Sequence, residues 1–299
     1  MKIRVPDYYY KFKCIADKCT DTCCTHWDVV VDDDTAEFYG EVKGELGEKL
    51  RNSMTVDEDG DTVFACKNDR CPFLRVNGLC DIQAELGEAA LSYTCRQYPR
   101  FFDEFGALQE YGLSFSCPEA ARIITNHKEK VEFLTEENPD IDVAPNDIDP
   151  ELFMFLLSTR DKIFGIIQNR KKSMNERMQE LYNFGVSVQK AIDDRNYRIV
   201  DIHELCISKT ANDVIKAFQK MEFIKNDLYE FSKMLSEDNA GYEASFDEYI
   251  LEREYEYENF IVYMIFRYYL KAVDDYNALE KINLAILSYM TVRELGKDI

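Results

Sequence analysis

Nine of the ten cysteines in this 299-residue chain fall at positions 14, 19, 23, 24, 66, 71, 80, 95 and 117, and only Cys206 lies outside that stretch. No other feature constrains the fold as much. Cys14-x4-Cys19-x3-Cys23-Cys24 packs four thiols into eleven residues, too close for a helix or strand to hold them apart, so a loop is expected there. The later thiols stand in Cys71-Pro72-Phe73-Leu74, Gly78-Leu79-Cys80, Cys95-Arg96-Gln97-Tyr98-Pro99-Arg100 and Cys117-Pro118-Glu119. Proline and glycine beside them break regular structure. Such breaks let a thiolate point inward while backbone N–H groups hydrogen-bond to its sulfur.

Compartment decides what crowded thiols do. The start of the chain, Met1-Lys2-Ile3-Arg4-Val5-Pro6-Asp7, carries charge and proline where an export signal needs an apolar stretch. The most apolar late run, residues 260–270, is interrupted by Arg267 and is too short to span a bilayer. A cytoplasmic protein without membrane insertion is expected. In that reducing compartment clustered thiols bind metal or do redox chemistry instead of pairing as disulfides. Zinc favours repeated Cys-x2-4-Cys knuckles, which are missing here, so the irregular spacing points to iron–sulfur while zinc stays open. Cys19-x3-Cys23 resembles the start of the three-cysteine motif of radical S-adenosylmethionine enzymes. The third position is His26, however, so radical chemistry gains no support, and His26 beside Trp27 reads as a packing or surface residue.

The net charge of −21 would repel a phosphate backbone, which argues against DNA or RNA as a partner. The same field steers basic partners, such as a lysine-rich protein surface or a cationic small molecule. With 46% hydrophobic and 13% aromatic residues but only 12 Gly and 7 Pro, the chain is globular. Residues 132–150 carry Pro139, Pro145 and Pro150 among many acids and read as a linker. It would divide a cysteine-rich module, 1–131, from an α-helical domain, 151–299. In the latter Leu152, Phe155, Leu156, Ile163, Phe164 and Ile167 recur at helical spacing, as do Val214, Phe218, Met221, Leu228 and Phe231. Phe246, Tyr249, Ile250, Phe260, Tyr263, Phe266 and Tyr269 form an aromatic stripe that reads as core. The expected fold is therefore mainly α, with a loop-rich, partly helical N-terminal cysteine module and a C-terminal helical bundle. Asp213 and Glu222 lack a His or Cys neighbour, Cys206 beside His203 reads as structural, and residues 28–37 read as a solvated acidic run. The glycines of residues 39–47 follow no strand and make a poor dinucleotide-binding loop.

Several motifs together point further. Val5-Pro6-Asp7-Tyr8-Tyr9, residues 14–27, Cys71-Pro72-Phe73-Leu74, Gly78-Leu79-Cys80-Asp81-Ile82-Gln83, Thr94-Cys95-Arg96-Gln97-Tyr98-Pro99-Arg100 and Ser116-Cys117-Pro118-Glu119-Ala120-Ala121-Arg122 resemble the flagellin lysine-N-methylase family. The cysteine pattern also resembles a broader set of zinc- or iron-chelating domains. The likeness is dense over residues 1–125 and looser beyond, with a partial echo at 258–272. Family members continue past the end of this chain, so a chain short at its C-terminal end is expected.

The resemblance implies metal ligands among Cys14, Cys19, Cys23, Cys24, Cys71, Cys80, Cys95 and Cys117, and leaves Cys66 unplaced. Eight thiols could serve two four-cysteine sites, or one cluster with the remainder structural. It implies an iron–sulfur cluster, expected as [4Fe-4S], with S-adenosylmethionine as methyl donor and flagellin or another lysine-rich protein as substrate. Arg96 and Arg100 are then the candidates to grip the donor's carboxylate, and Asp81 and Tyr98 the candidate bases. Two readings from other classes stand beside it: a non-catalytic zinc- or iron-chelating protein, and an electron-carrying iron–sulfur partner of a redox enzyme.

Overall fold

In a computed structural model of the chain, residues 1–139, 147–198 and 243–296 are described, with positions 213, 216, 219 and 220. Two units result. The first comprises Met1–Asp7, Glu104–Gln109 and Ile124–Ile299; the second comprises Tyr8–Asp103 and Glu110–Ile123 and so holds all nine N-terminal cysteines.

Mixed α/β architecture replaces the mainly α fold expected from the sequence. Strands β1 (Lys2–Pro6), β5 (Arg100–Phe105), β6 (Leu108–Leu113) and β7 (Phe133–Glu137) form a sheet in the order β5-β6-β1-β7. Strands β2 (Val29–Val30), β3 (Met54–Val56) and β4 (Thr62–Phe64) form a second in the order β2-β4-β3. The strands are two to six residues long, too short to show a clear alternation in the sequence.

Strand β7 falls inside the segment read as a linker. Its acids find cross-strand partners far along the chain: it runs antiparallel to β1, with Glu137 opposite Lys2 and Thr135 opposite Arg4, and Arg4 Nε donates to Thr135 Oγ1 at 3.4 Å. Opposite-charge and hydrogen-bonding pairs of this kind stabilise a ladder locally. Residues 140–146 of the same segment lie outside the described residues.

The helices of the first unit follow their sequence signals. In α6 (Pro150–Ile167) the Asp149 carboxylate accepts from the Glu151 and Leu152 amides, and Pro150 opens the first turn, where its missing N–H costs nothing. Leu152, Phe155, Leu156, Ile163, Phe164 and Ile167 are all buried, as their spacing predicts. Helix α7 (Met174–Asp193) starts with a capping box between Ser173 and Glu176. These two pack with α8 (Glu243–Tyr268) and α9 (Ala278–Gly296). Tyr263, Phe266 and Tyr269 from the aromatic stripe are buried, whereas Tyr249 is 45% exposed. Phe133 stacks on both Phe164 and Phe266, at 4.5 and 5.0 Å between ring centroids. Asp213 is exposed; Val214, Phe218, Met221, Glu222, Leu228, Phe231, His203 and Cys206 lie outside the described residues. Among the described residues no helix is long and apolar enough to cross a membrane.

One charge network centres on a buried ion pair inside the bundle. Arg177 is fully buried and donates from Nη1 to Glu258 Oε2 (2.9 Å), from Nη2 to Glu254 Oε2 (2.7 Å) and from Nε to the Lys172 carbonyl (2.8 Å). Arg170 Nη2 reaches the other Glu258 oxygen at 2.9 Å. Desolvating such ions is costly, and only a complete set of partners offsets it. Arg177→Met leaves two carboxylates short of a partner and is expected to lower stability by about 3–5 kcal/mol. The urea midpoint should fall with an unchanged denaturant slope; an unmoved midpoint would show the network to be dispensable.

Candidate thiol-rich metal site

The cysteine loop is threaded against a second loop by backbone contacts. Cys71 N–H donates to the Cys24 carbonyl at 2.9 Å, His26 N–H to the Asp69 carbonyl at 3.1 Å, and Thr25 bridges Arg70. The loop's own shape is set by Thr22, whose hydroxyl accepts from the Cys24 amide at 3.2 Å, and by Trp27, whose indole donates to the Cys23 carbonyl at 2.7 Å. Beyond Cys71 the chain turns back sharply. Arg75 and Leu79 close the turn, Gly78 takes the left-handed conformation (φ +81°) that side chains disfavour, and Asp81 N–H returns to the Phe73 carbonyl at 2.8 Å. Cys71 and Cys80 are thereby brought together. Cys95 enters from α4 (Tyr93–Gln97), which Ser92 caps through the Cys95 amide.

Cys23, Cys24, Cys71, Cys80 and Cys95 line one cavity of about 30 Å³. Its remaining wall is mostly apolar and includes Trp27, Tyr39, Phe64, Phe73 and Tyr98. Tyr39 is fully buried and spends its hydroxyl on the Ala90 carbonyl at 2.7 Å. These wall residues come from separate segments and carry no chemical signal of their own in the sequence; only their aromatic character marks them.

Burial in such a wall penalises a thiolate. It pushes Cys71 up to about 12 and Cys95 up to about 11, against the opposing pull of the Phe73 amide and the Ser92 hydroxyl. Cys80 and Cys117 are raised by the same cause. Cys80 stands at the N-cap of α3 (Asp81–Leu86), where the Gln83 and Ile82 amides favour its anion without closing a capping hydrogen bond. Cys117 directly precedes α5 (Pro118–Thr125), and the Ala120 and Glu119 amides act on it likewise. Cys24 goes the other way. The hydrogen bond from Cys23 outweighs burial there, with Thr22 assisting, so Cys24 ionises first and Cys23 keeps its proton.

As a donor set these residues fit a thiolate-bound centre: sulfur is abundant, the wall is apolar, and amides already face several sulfurs. Among the described residues, however, no three His, Cys, Asp or Glu side chains converge closely enough to enclose an ion. Cys66 does not line the cavity. Its thiol donates to the Trp27 carbonyl at 2.8 Å and its amide to Asp28 Oδ1 at 2.7 Å. His26 sits in a left-handed turn (φ +67°), with Nδ1 3.8 Å from Asp69 Oδ1.

The other candidate residues are dispersed. Tyr98 lines the cavity, packs against Trp27 at 6.2 Å between centroids, and shares a 3.1 Å hydrogen bond with Ser116 Oγ. Burial raises its phenol above the ordinary range. Arg96 is exposed and donates to the Ala89 carbonyl at 3.2 Å. Arg100 instead lies 5.1 Å over the Phe12 ring. Asp81 is gripped by Arg75 Nε (2.5 Å) and Lys49 Nζ (2.6 Å), which hold its carboxyl below the ordinary value although burial alone would raise it. The acids of residues 28–37 also have structural tasks: Asp32 caps α1 (Asp33–Glu41) through the Thr35 amide and accepts from the Tyr93 amide at 2.7 Å.

Comparison with known proteins gives matches in sequence only. The family described as the FliB lysine N-methylase C-terminal domain matches residues 160–296. "Flagellar biosynthetic protein FliU" of Salmonella muenchen is 29% identical over 133 residues, covering 40% of this chain and 75% of that protein. Two proteins called "Lysine-N-methylase", from Salmonella typhimurium and Salmonella choleraesuis, are each 29% identical over 133 residues, again 40% of this chain but 32% of theirs. The chain thus spans about a third of the length of those two relatives. No solved structure matches. The family match falls on the helical half, where the motif resemblance is looser.

The Asp81 clamp carries a signed pH dependence. Because the folded carboxyl is held below its ordinary value of 3.8, the clamp stabilises the fold above that pH and is lost as pH falls through the folded-state value. Asp81→Asn should therefore lower the urea midpoint at pH 7, and the difference from the native chain should shrink below pH 3.8. A difference that persists unchanged into acid would rule out the clamp.

Proposed function

Taking the chain as a member of the flagellin lysine-N-methylase family, which its matches support at modest identity, we propose that it methylates lysine side chains of a protein substrate. The observation that carries this is the family match over residues 160–296. In the finer reading the donor is S-adenosylmethionine and the substrate is flagellin or another lysine-rich protein. A net charge of −21 favours encounter with a basic surface.

The reaction makes few demands, and they are geometric. A deprotonated lysine amine attacks the donor's methyl carbon from behind; the N–C bond forms as the C–S bond to the sulfonium breaks, S-adenosylhomocysteine departs, and the extra proton on nitrogen passes to water or a base. In this reading exposed Arg96 is the first contact for the donor's carboxylate and Arg100 the second. Tyr98, protonated at neutral pH and tied to Ser116, orients rather than accepts a proton. Asp81, its charge already held by Lys49 and Arg75, fixes the 73–81 turn and is a weak base.

The same proposal assigns Cys14, Cys19, Cys23, Cys24, Cys71, Cys80, Cys95 and Cys117 to metal, with iron–sulfur of the [4Fe-4S] type preferred and zinc the alternative. Iron–sulfur would supply a redox-active, thiolate-held centre. The residues of this chain provide its apolar wall and the amides facing sulfur.

The test is a methyl-transfer assay on flagellin with isotopically labelled S-adenosylmethionine, using anaerobically purified protein whose iron, zinc and acid-labile sulfide are counted. Label on flagellin lysines is expected, and Arg96→Ala should weaken donor binding in calorimetry about tenfold or more, the scale of one lost charge-assisted contact. Metal-loaded protein that labels neither flagellin nor another lysine-rich protein would overturn the methyltransferase reading. Reversible reduction without transfer would then identify an electron carrier; metal release without reduction or transfer, a chelator.

A further inference from the structure

The helical half holds a cavity of about 120 Å³ that the proposed chemistry does not use. It lies among the start of α7, the first half of α8 and the end of α9, all parts of one unit. A space of that size takes several waters or a small organic group. Its lining falls within residues 160–296, the stretch that the family match covers.

Hydrogen-bonding capacity is left over around it. Tyr289 lines the cavity and is only 3% exposed, yet its hydroxyl has no hydrogen-bond partner among the described residues, and the Tyr257 hydroxyl beside it has none either. The two rings meet edge to face at 6.0 Å between centroids. Burial keeps both phenols protonated at neutral pH, pushing Tyr257 up to about 12, so each has a proton to donate. A buried hydroxyl left without a partner is costly to a fold unless a ligand or water completes it. The first turn of α7 has a spare donor as well. Ser173 N–H goes to Glu176 Oε2, Met174 N–H to Glu254 Oε1 and Glu176 N–H to Ser173 Oγ. The Asn175 N–H has no acceptor among the described residues, and Asn175 borders the cavity.

Charge of both signs stands beside those donors. Arg293 brings a guanidinium to the lining, and Glu254 a carboxylate. One Glu254 oxygen accepts from Arg177 Nη2 at 2.7 Å and the other from the Met174 amide at 3.2 Å. A carboxylate has about four lone-pair sites, so each oxygen can accept once more. Met174 and Ile250 contribute apolar surface. A ligand matched to this set carries a carboxylate, an ammonium and a short apolar stem. A lone amine would be repelled by Arg293, and a bare anion would leave Glu254 unused.

We infer that this cavity binds the α-amino-acid end of a small molecule, with its carboxylate held by Arg293, the Asn175 amide and the Tyr257 and Tyr289 hydroxyls, and its ammonium by Glu254. The site belongs to a different unit from the clustered cysteines, and it rests on neither the metal nor the methyltransferase reading. Two sources carry such an end: a free amino acid, and the methyl donor of the proposed reaction with its product.

The test is calorimetric titration of the full chain with L-methionine, S-adenosylhomocysteine and 5′-methylthioadenosine, which keeps the thioether nucleoside but lacks the amino-acid end. L-Methionine or S-adenosylhomocysteine should bind, and methylthioadenosine should not. Arg293→Gln and Tyr289→Phe should each weaken that binding about tenfold or more, the scale of one lost charge-assisted hydrogen bond. Tyr289→Phe removes no internal hydrogen bond, so its urea midpoint should match or exceed that of the native chain; a structural hydroxyl would do the opposite. Binding of L-methionine without S-adenosylhomocysteine identifies a free amino acid as the ligand. S-adenosylhomocysteine binding that Arg293→Gln weakens and Arg96→Ala does not identifies the donor, and moves its carboxylate from Arg96 to this cavity. Binding of neither probe, equal binding of methylthioadenosine, or native affinity in folded Arg293→Gln and Tyr289→Phe would each overturn the site. None of these titrations involves methyl transfer, so a failure here leaves the methyltransferase reading standing, and a failure of transfer leaves this site standing.

Discussion

Sulfur facing an apolar wall has two stable conditions: it keeps its proton, or a cation and nearby dipoles hold its charge. The cysteine unit is organised around that choice. Cys71 and Cys95 are pushed towards the protonated state by burial, yet the Phe73 amide and the Ser92 hydroxyl favour their anions. Those donors are fixed by the backbone turns that carry the cysteines, so the surroundings suit thiolates even where burial favours thiols. The turn around Gly78, the clamp on Asp81 and the cap at Ser92 all keep such donors in place. Cys66 has its donor role satisfied by the Trp27 carbonyl instead.

In the helical half a comparable constraint is met with full charges. Arg177 and Glu258 are at most 1% exposed, and the pair is tolerated because every strong donor around them has an acceptor: two carboxylates, the Lys172 carbonyl and the Ile167 carbonyl. The same economy appears at Asn259, whose side-chain amide donates to the Ile124 and His127 carbonyls at 2.9 and 2.6 Å. The first of those carbonyls belongs to the last turn of α5 and also accepts from the His127 N–H, and the second lies just beyond the helix.

What the sequence discloses depends on how far apart the interacting residues are. Helix α6 is legible because Asp149, Pro150 and the six apolar positions are local signals at a fixed period. The crowding of thiols is equally local. Strand β7 is not legible: FLTEE becomes a strand only because β1 lies beside it, and Arg4 and Thr135 are 131 residues apart. Nor does spacing along the chain reveal that Cys71 meets Cys24 through the backbone, or that Tyr39, Phe64 and Phe73 close one wall. Asp81, attractive as a base beside Cys80, is claimed by Lys49 from a helix 32 residues away. The family matches attach to the helical half, where no residue pattern announced a chemistry.

The pairing of β1 with β7 also sets an order of events during synthesis. Lys2–Pro6 emerges first, yet its partner Phe133–Glu137 follows more than a hundred residues later, and pairings of such long range are slow to form. All nine clustered cysteines are translated in that interval. Every one of those thiols is therefore part of the nascent chain before β1 and β7 can pair.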